Sequence, residues 1–319
     1  ELALVATDPV WLDDVQVYPA TDGDKTRVRI RVGNSTGTAI ETRLELLAQL
    51  SQGDTSRPAR TSKATFNVPK DGGTFELTCP PGPDARRWDE FDPDLYRLDV
   101  ELNASDSGRK LTDSTSVTFG VREFGTDGTE FTINGRRTFL RGTLECCIFP
   151  RTGYPPTDVA AWERVIRICQ DHGLNHMRFH SWCPPEAAFV AADRLGFYLH
   201  VECAAWAPIG DGEPIDRWIR AEGDRILREY GNHPSFVMLA YGNEPHGSNR
   251  KQYLVDLVKY WKQKDPRRLY TSGAGWPLIE QSDFHSTAAP RIQQWGEGLR
   301  SRLNARPPET VSDFSDFVG

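Results

Sequence analysis

Hydrophobic and polar residues alternate with a period of two through the first third of the chain. The runs are Val15-Gln16-Val17-Tyr18, Thr26 to Val32, Thr42 to Leu46, Ala64 to Val68, Thr74 to Leu77, Leu95 to Leu102 and Ser116 to Phe119. This periodicity is that of strands with one buried face. Turn residues separate the runs at Asp22-Gly23-Asp24, Asn34-Ser35-Thr36-Gly37, Asp71-Gly72-Gly73 and Asp106-Ser107-Gly108. Roughly seven short strands in about 110 residues predict an antiparallel β-sandwich of immunoglobulin type. A β domain of another topology is the alternative that strand count leaves open.

The pattern changes near Phe124, where strand-like and helix-like runs begin to alternate. The predicted strands are Thr138–Gly142, His176–His180, Phe197–Glu202, Phe236–Tyr241 and Leu269–Ser272, with Asp283-Phe284-His285 as a sixth. The predicted helices are Thr157–Asp171, Pro184–Leu195, Ile215–Tyr230 and Tyr253–Lys264. In the first of these, Val159, Trp162, Val165, Ile166 and Cys169 form one apolar stripe. Repeated strand–helix units predict a parallel sheet, here part of a (β/α)8 TIM barrel. The expected division is residues 1–122 for the sandwich and 123–319 for the N-terminal part of the barrel. No internal repeat is present. From Pro290 onward there is no period, and a long loop with short helices is expected.

The run Ser235 to Tyr241, followed by Gly242-Asn243-Glu244-Pro245, carries the strongest chemical signal. A continuous apolar run reads as a parallel strand covered on both faces. A carboxylate at the tip of such a strand emerges where α/β barrels place their active sites. There Glu244 can move a proton while Asn243 holds a sugar hydroxyl. The competing reading is a glutamate that caps the next helix.

Composition narrows the field. The 319 residues carry a net charge of −7, with 38% hydrophobic and 26% charged residues. The acidic balance argues against nucleic acid and anionic membranes as partners. No apolar stretch of about 18 residues exists to span a bilayer. The six cysteines, Cys79, Cys146, Cys147, Cys169, Cys183 and Cys203, form no CxxC pair, and no disulfide framework is expected. A zinc site from Cys146, Cys147, His180 and Cys183 is set against the ordinary role of buried cysteine as a small hydrophobe.

The order of segments resembles glycoside hydrolase family 2, the β-galactosidases, β-glucuronidases and β-mannosidases. The residues that carry the resemblance are Pro9 to Val15, then Trp88 with Pro93-Asp94-Leu95-Tyr96. Phe119-Gly120-Val121-Arg122, Ile133-Asn134-Gly135 and Phe139-Leu140-Arg141-Gly142 follow at the junction of the two halves. Gly173 to Arg178 and Gly242-Asn243-Glu244-Pro245 look like the second and fourth barrel strands. The resemblance implies a retaining glycosidase with Glu244 as general acid/base and Asn243 on the sugar 2-hydroxyl. It also implies a nucleophilic glutamate at the end of a seventh strand, expected beyond residue 319. Glu280, Glu297 and Glu309 are the remaining downstream glutamates and read as solvated side chains.

Further candidates come from strand ends. Arg141 is expected to end the first barrel strand, where it could orient a carboxylate or make a structural ion pair. His180 ends the second, with Arg178 on the same face. Trp182, Trp206 and Trp276 each follow a strand, where they could stack on a sugar or pack beneath loops. Glu202 ends the third strand, and the resemblance to some β-galactosidases implies a divalent cation there. No other cofactor is expected. Carbohydrate is the expected partner, and oligomeric state is not legible. A non-catalytic carbohydrate-binding or scaffold protein on a degenerate barrel is the competing function, and a metal-dependent hydrolase is a third.

Overall fold

A computed structural model describes residues 4–20, 26–51, 59–79 and 85–285. The turn expected at Asp22-Gly23-Asp24, the tail from Pro290, and Glu297 and Glu309 lie outside the described residues. The chain forms two compact units that divide after Arg122, with Asp89–Phe91 counted in the second and Asn232–Pro234 in the first.

The first unit is the immunoglobulin-type sandwich. Its strands are β1 (Val10–Tyr18), β2 (Thr26–Asn34), β3 (Ile40–Leu50), β4 (Arg60–Val68), β5 (Gly73–Cys79), β6 (Tyr96–Asp106) and β7 (Arg109–Phe119). One sheet has the order β1-β2-β5 and the other β4-β3-β6-β7. All pairings are antiparallel. The period-two reading is visible in the burial, since β2 and β3 bury alternate residues almost throughout. Val28, Ile30 and Val32 share one core with Leu44, Leu46, Val100 and Leu102. β3 and β7 run beyond the alternating segments read from the sequence, and both carry polar residues off the exposed face. Thr42 is fully buried within β3, and β7 extends through Asp113 and Ser114. Asp113 earns its place by accepting the backbone N–H of Leu12 at 2.8 Å.

The second unit opens with a small antiparallel sheet of order β10-β9-β8. Its strands are β8 (Phe124–Asp127), β9 (Glu130–Ile133) and β10 (Arg136–Thr138). Asn134 and Gly135 make the β9–β10 turn with φ of 53° and 75°, the left-handed pair that a two-residue hairpin requires. The strand expected over Thr138–Gly142 is corrected here. Thr138 ends β10 opposite Phe131, and the first barrel strand starts only at Gly142. Between them the Asn175 side chain binds the backbone, accepting from Arg141 N at 2.8 Å and donating to Phe139 O at 3.0 Å.

The partial barrel follows as β11 (Gly142–Glu145), β12 (His176–Phe179), β13 (Tyr198–Glu202), β14 (Phe236–Ala240) and β15 (Leu269–Thr271). Between them lie α1 (Val159–Asp171), α2 (Glu186–Leu195), α3 (Pro214–Tyr230) and α4 (Arg250–Lys264). All four strand pairings are parallel. Spatial order equals chain order, which is how a barrel wall grows. Asp158 caps α1 by accepting from Ala161 N at 2.8 Å. Met177, Phe179, Leu199, Val201, Phe236 and Tyr270 pack outward on the helices with Trp162, Ile166 and Trp261. The residues alternating with them on β12 and β13, namely His176, Arg178, Tyr198, His200 and Glu202, therefore face the concave side. Asp283-Phe284-His285 is not a strand. It is tied beside β15 by Asp283 N to Tyr270 O at 2.8 Å and by Thr271 Oγ1 to Phe284 O at 2.7 Å. Among the described residues the barrel sheet thus has five strands rather than six.

Candidate active site

The C-terminal ends of β13, β14 and β15 are bound to one another through their loops. Cys203 N donates to Ala240 O at 3.1 Å, and Asn243 N to Ala205 O at 3.0 Å. Glu244 N donates to Ala274 O at 2.8 Å, and Ile209 N to His246 O at 2.9 Å. Asn243 and Glu244 are therefore held from both sides by backbone. The turn that presents them depends on Gly242, with φ of 149°. A Cβ at that position would lie 2.1 Å from Ala205 O, so no other residue fits. Glu244 itself sits at φ 42°, a region that non-glycine residues seldom occupy and that concentrates at functional sites. Its side chain is half-buried. Tyr241, to which the sequence assigned no role, donates its hydroxyl to Ala207 O at 3.0 Å and receives Ala207 N at 3.2 Å. That bond pins the loop carrying Trp206.

Beneath Asn243 lies a buried ion pair. Arg178 Nε donates to Glu202 Oε1 at 2.8 Å, and Arg178 Nη2 donates to Asn243 Oδ1 at 3.1 Å. The Arg178 side chain is 6% exposed and that of Glu202 0%. Below them, the His176 and His200 rings stack with centroids 6.2 Å apart. Burial foremost, and also the Arg178 charge, bring His176 down to about 4. Burial, Arg178 and His176 hold His200 well below its ordinary value. Both rings are neutral near pH 7. The unfolded chain takes up these protons near pH 6.5, and the folded protein resists until about 4 for His176. More protons are then bound in the unfolded state, so stability is full above pH 6.5 and falls as the pH drops toward 4. The slope is up to about 1.4 kcal/mol per pH unit for each ring. Urea unfolding at pH 7.5 and pH 5.0 checks this, and His200→Gln is expected to flatten the fall.

The other residues singled out from the sequence fall into three groups. His180 directly follows β12, and its ring meets Trp206 edge-on at 5.9 Å. Trp206 and Trp276 are 62% and 49% exposed, and each lies one or two residues beyond a backbone anchor of the Asn243-Glu244 turn. Trp182 differs: it packs against Phe179 at 5.4 Å and donates Nε1 to Glu145 O at 3.3 Å. It is a floor beneath the loops. Arg141 is a correction. Because β11 begins at Gly142, Arg141 stands at the N-terminal edge of the sheet, bonded to Gly173 O at 2.6 Å and paired with Glu90 at 3.6 Å. Glu244 lies at the opposite, C-terminal edge of that sheet, after β14.

Glu145 was missed. It ends β11 on the same edge as Glu244 and accepts the backbone N–H of Cys147 at 3.0 Å. Burial pushes its carboxyl up, against the pull of the Cys147 and Ile148 amides and Trp182. Its misassignment followed from placing the first barrel strand too early. One Glu202 oxygen is committed to Arg178. Among the described residues no group of three or more His, Cys, Asp or Glu is arranged to hold a metal ion. All six cysteines are free thiols. No helix among the described residues is long and apolar enough to cross a membrane. Glu280 is exposed.

Comparison with known proteins gives a consistent family. The family model for glycosyl hydrolases family 2 matches residues 10–122. The model for the glycosyl hydrolases family 2 TIM barrel domain matches residues 126–289. The β-galactosidase large subunit of Latilactobacillus sakei is 26% identical over 238 residues, covering 70% of this chain and 35% of that protein. A Formosa agariphila protein with a provisional β-glucuronidase name is 28% identical over 197 residues, covering 60% of this chain and 18% of its own length. The crystal structure of a Bacteroides uniformis β-glucuronidase superposes with a TM-score of 0.76 at 17% identity, over 94% of this chain and 40% of that one. The chain thus spans well under half the length of these proteins.

Proposed function

The chain belongs to glycosyl hydrolases family 2, and on that premise we propose that it carries the acid/base half of a retaining β-glycoside hydrolase. The observation behind this reading is the position of Glu244. It is half-buried at the C-terminal edge of a parallel barrel sheet, in a left-handed backbone conformation fixed by Gly242 and by bonds to two neighbouring loops. Glu244 donates a proton to the departing glycosidic oxygen and then, as base, draws one from the water that releases the sugar. Asn243 binds the 2-hydroxyl, a contact that strengthens as the ring approaches an oxocarbenium ion.

His180, Trp206 and Trp276 supply the surrounding contacts: a hydrogen-bonding ring and two exposed aromatic faces that can stack on a pyranose. The nucleophile is assigned to a glutamate beyond residue 319 of the full-length protein, following the family resemblance. The β-galactosidase and β-glucuronidase names of the relatives support a β-linked hexoside or hexuronide as the substrate class. The full-length protein is expected to hydrolyse at least one such nitrophenyl glycoside, and proton NMR of the first product is expected to show the β-anomer. A first-formed α-anomer, or no turnover across galactoside, glucuronide and mannoside, would contradict the proposal.

A further inference from the structure

The contacts beneath Asn243 assign a role to Glu202, and this inference rests on the function just proposed. Arginine can only donate hydrogen bonds. Arg178 spends one donor on Glu202 Oε1 at 2.8 Å and another on Asn243 Oδ1 at 3.1 Å. A carboxamide has one accepting and one donating end. With its oxygen taken by the guanidinium, Asn243 is left with its NH2 end to offer a ligand. The guanidinium cannot rotate away, because Glu202 is wholly enclosed and holds it by a charge-assisted bond. Among the described residues Glu202 Oε2 has no hydrogen-bond partner, and Arg178 is the side chain that holds this carboxylate through Oε1.

We propose that Glu202 is a positioning residue that, through Arg178, locks the Asn243 carboxamide as a hydrogen-bond donor to the sugar. The donor polarity suits the reaction, since a donated bond holds the 2-hydroxyl oxygen while that hydroxyl's own proton remains for another acceptor. Asn243 without this brace could rotate and present its oxygen, and the contact would change sign. Glu202 touches neither substrate nor the reacting atoms, and its effect is carried by orientation alone.

The test uses full-length protein labelled with 15N-asparagine, in which the Asn243 side-chain NH2 signal is identified by its loss in Asn243→Ala. In Glu202→Ala the signal is expected to shift and broaden. In Glu202→Gln, which keeps an acceptor at the same site, it is expected to shift less. An unmoved signal in both variants overturns the inference, whether or not the protein turns over any glycoside. In kinetics, Glu202→Ala is expected to lower kcat about 100-fold with KM changed by less than about threefold. Glu202→Gln is expected to restore most of kcat. The double variant Glu202→Ala/Asn243→Ala is expected to be no slower than Asn243→Ala alone, because both act through one contact. Multiplying effects in the double variant would contradict the relay. An Asn243 signal that responds to Glu202 in a protein with no glycosidase activity would leave the positioning intact and reject the proposed function instead.

Discussion

Glu244→Gln is expected to lower kcat/KM on a glycoside with a poor, alkyl leaving group by about 10²–10⁴-fold. Glutamine keeps the size and the half-buried setting of the side chain but has no proton to give. The loss is expected to shrink on a dinitrophenyl glycoside, whose leaving group departs as a stable anion and needs little protonation. The dependence on leaving group is the signature of a general acid. A loss of equal size on both substrates would mean that Glu244 serves structure or binding. Steady-state rates on the two substrates, with the far-ultraviolet circular dichroism of the variant as a folding control, decide between them.

The second large effect concerns stability. Arg178→Met is expected to cost about 3–5 kcal/mol, because it leaves the Glu202 carboxylate buried without a charge partner. The side chain of Glu202 is 0% exposed, so water cannot replace the guanidinium. Asn243 loses its donor at 3.1 Å in the same step. Arg178→Met/Glu202→Leu is expected to recover much of that stability while leaving activity low, since burying an apolar pair removes the stranded charge but not the need to orient Asn243. Urea denaturation followed by tryptophan fluorescence measures both variants. A cost below about 1 kcal/mol for Arg178→Met would show that the ion pair is solvated.

Much of this architecture was legible in the sequence, for identifiable reasons. The sandwich strands alternate apolar and polar residues, and the burial of β2, β3 and β6 follows that alternation. The four barrel helices end at the expected residues and start within three residues of the expected positions, and in α1 the apolar stripe read from the sequence includes the buried Trp162 and Ile166. The strand of Phe236 to Ala240 was found because all of its residues are apolar and buried.

The failures share one cause, a tertiary contact that local pattern cannot express. The first barrel strand was misplaced by several residues because the side chain of Asn175, 36 residues away from Phe139, occupies the backbone that looked like a strand. That displacement carried Arg141 to the wrong end of the sheet and hid Glu145. Asp283-Phe284-His285 looked like a strand because it is apolar at its centre, yet it is held by side-chain and single backbone bonds. The polar layer of His176, Arg178, His200 and Glu202 alternates correctly on two strands. Only the folded chain brings Arg178 against an asparagine 65 positions later.

The measurement that bears most directly on Glu244 is chemical rescue of Glu244→Ala by azide, on a glycoside with a good leaving group. Azide needs no general base, so the account predicts a rate that rises with azide concentration and a β-glycosyl azide as the product. A rate indifferent to azide, with free sugar as the only product, would contradict the assignment of Glu244 as the acid/base.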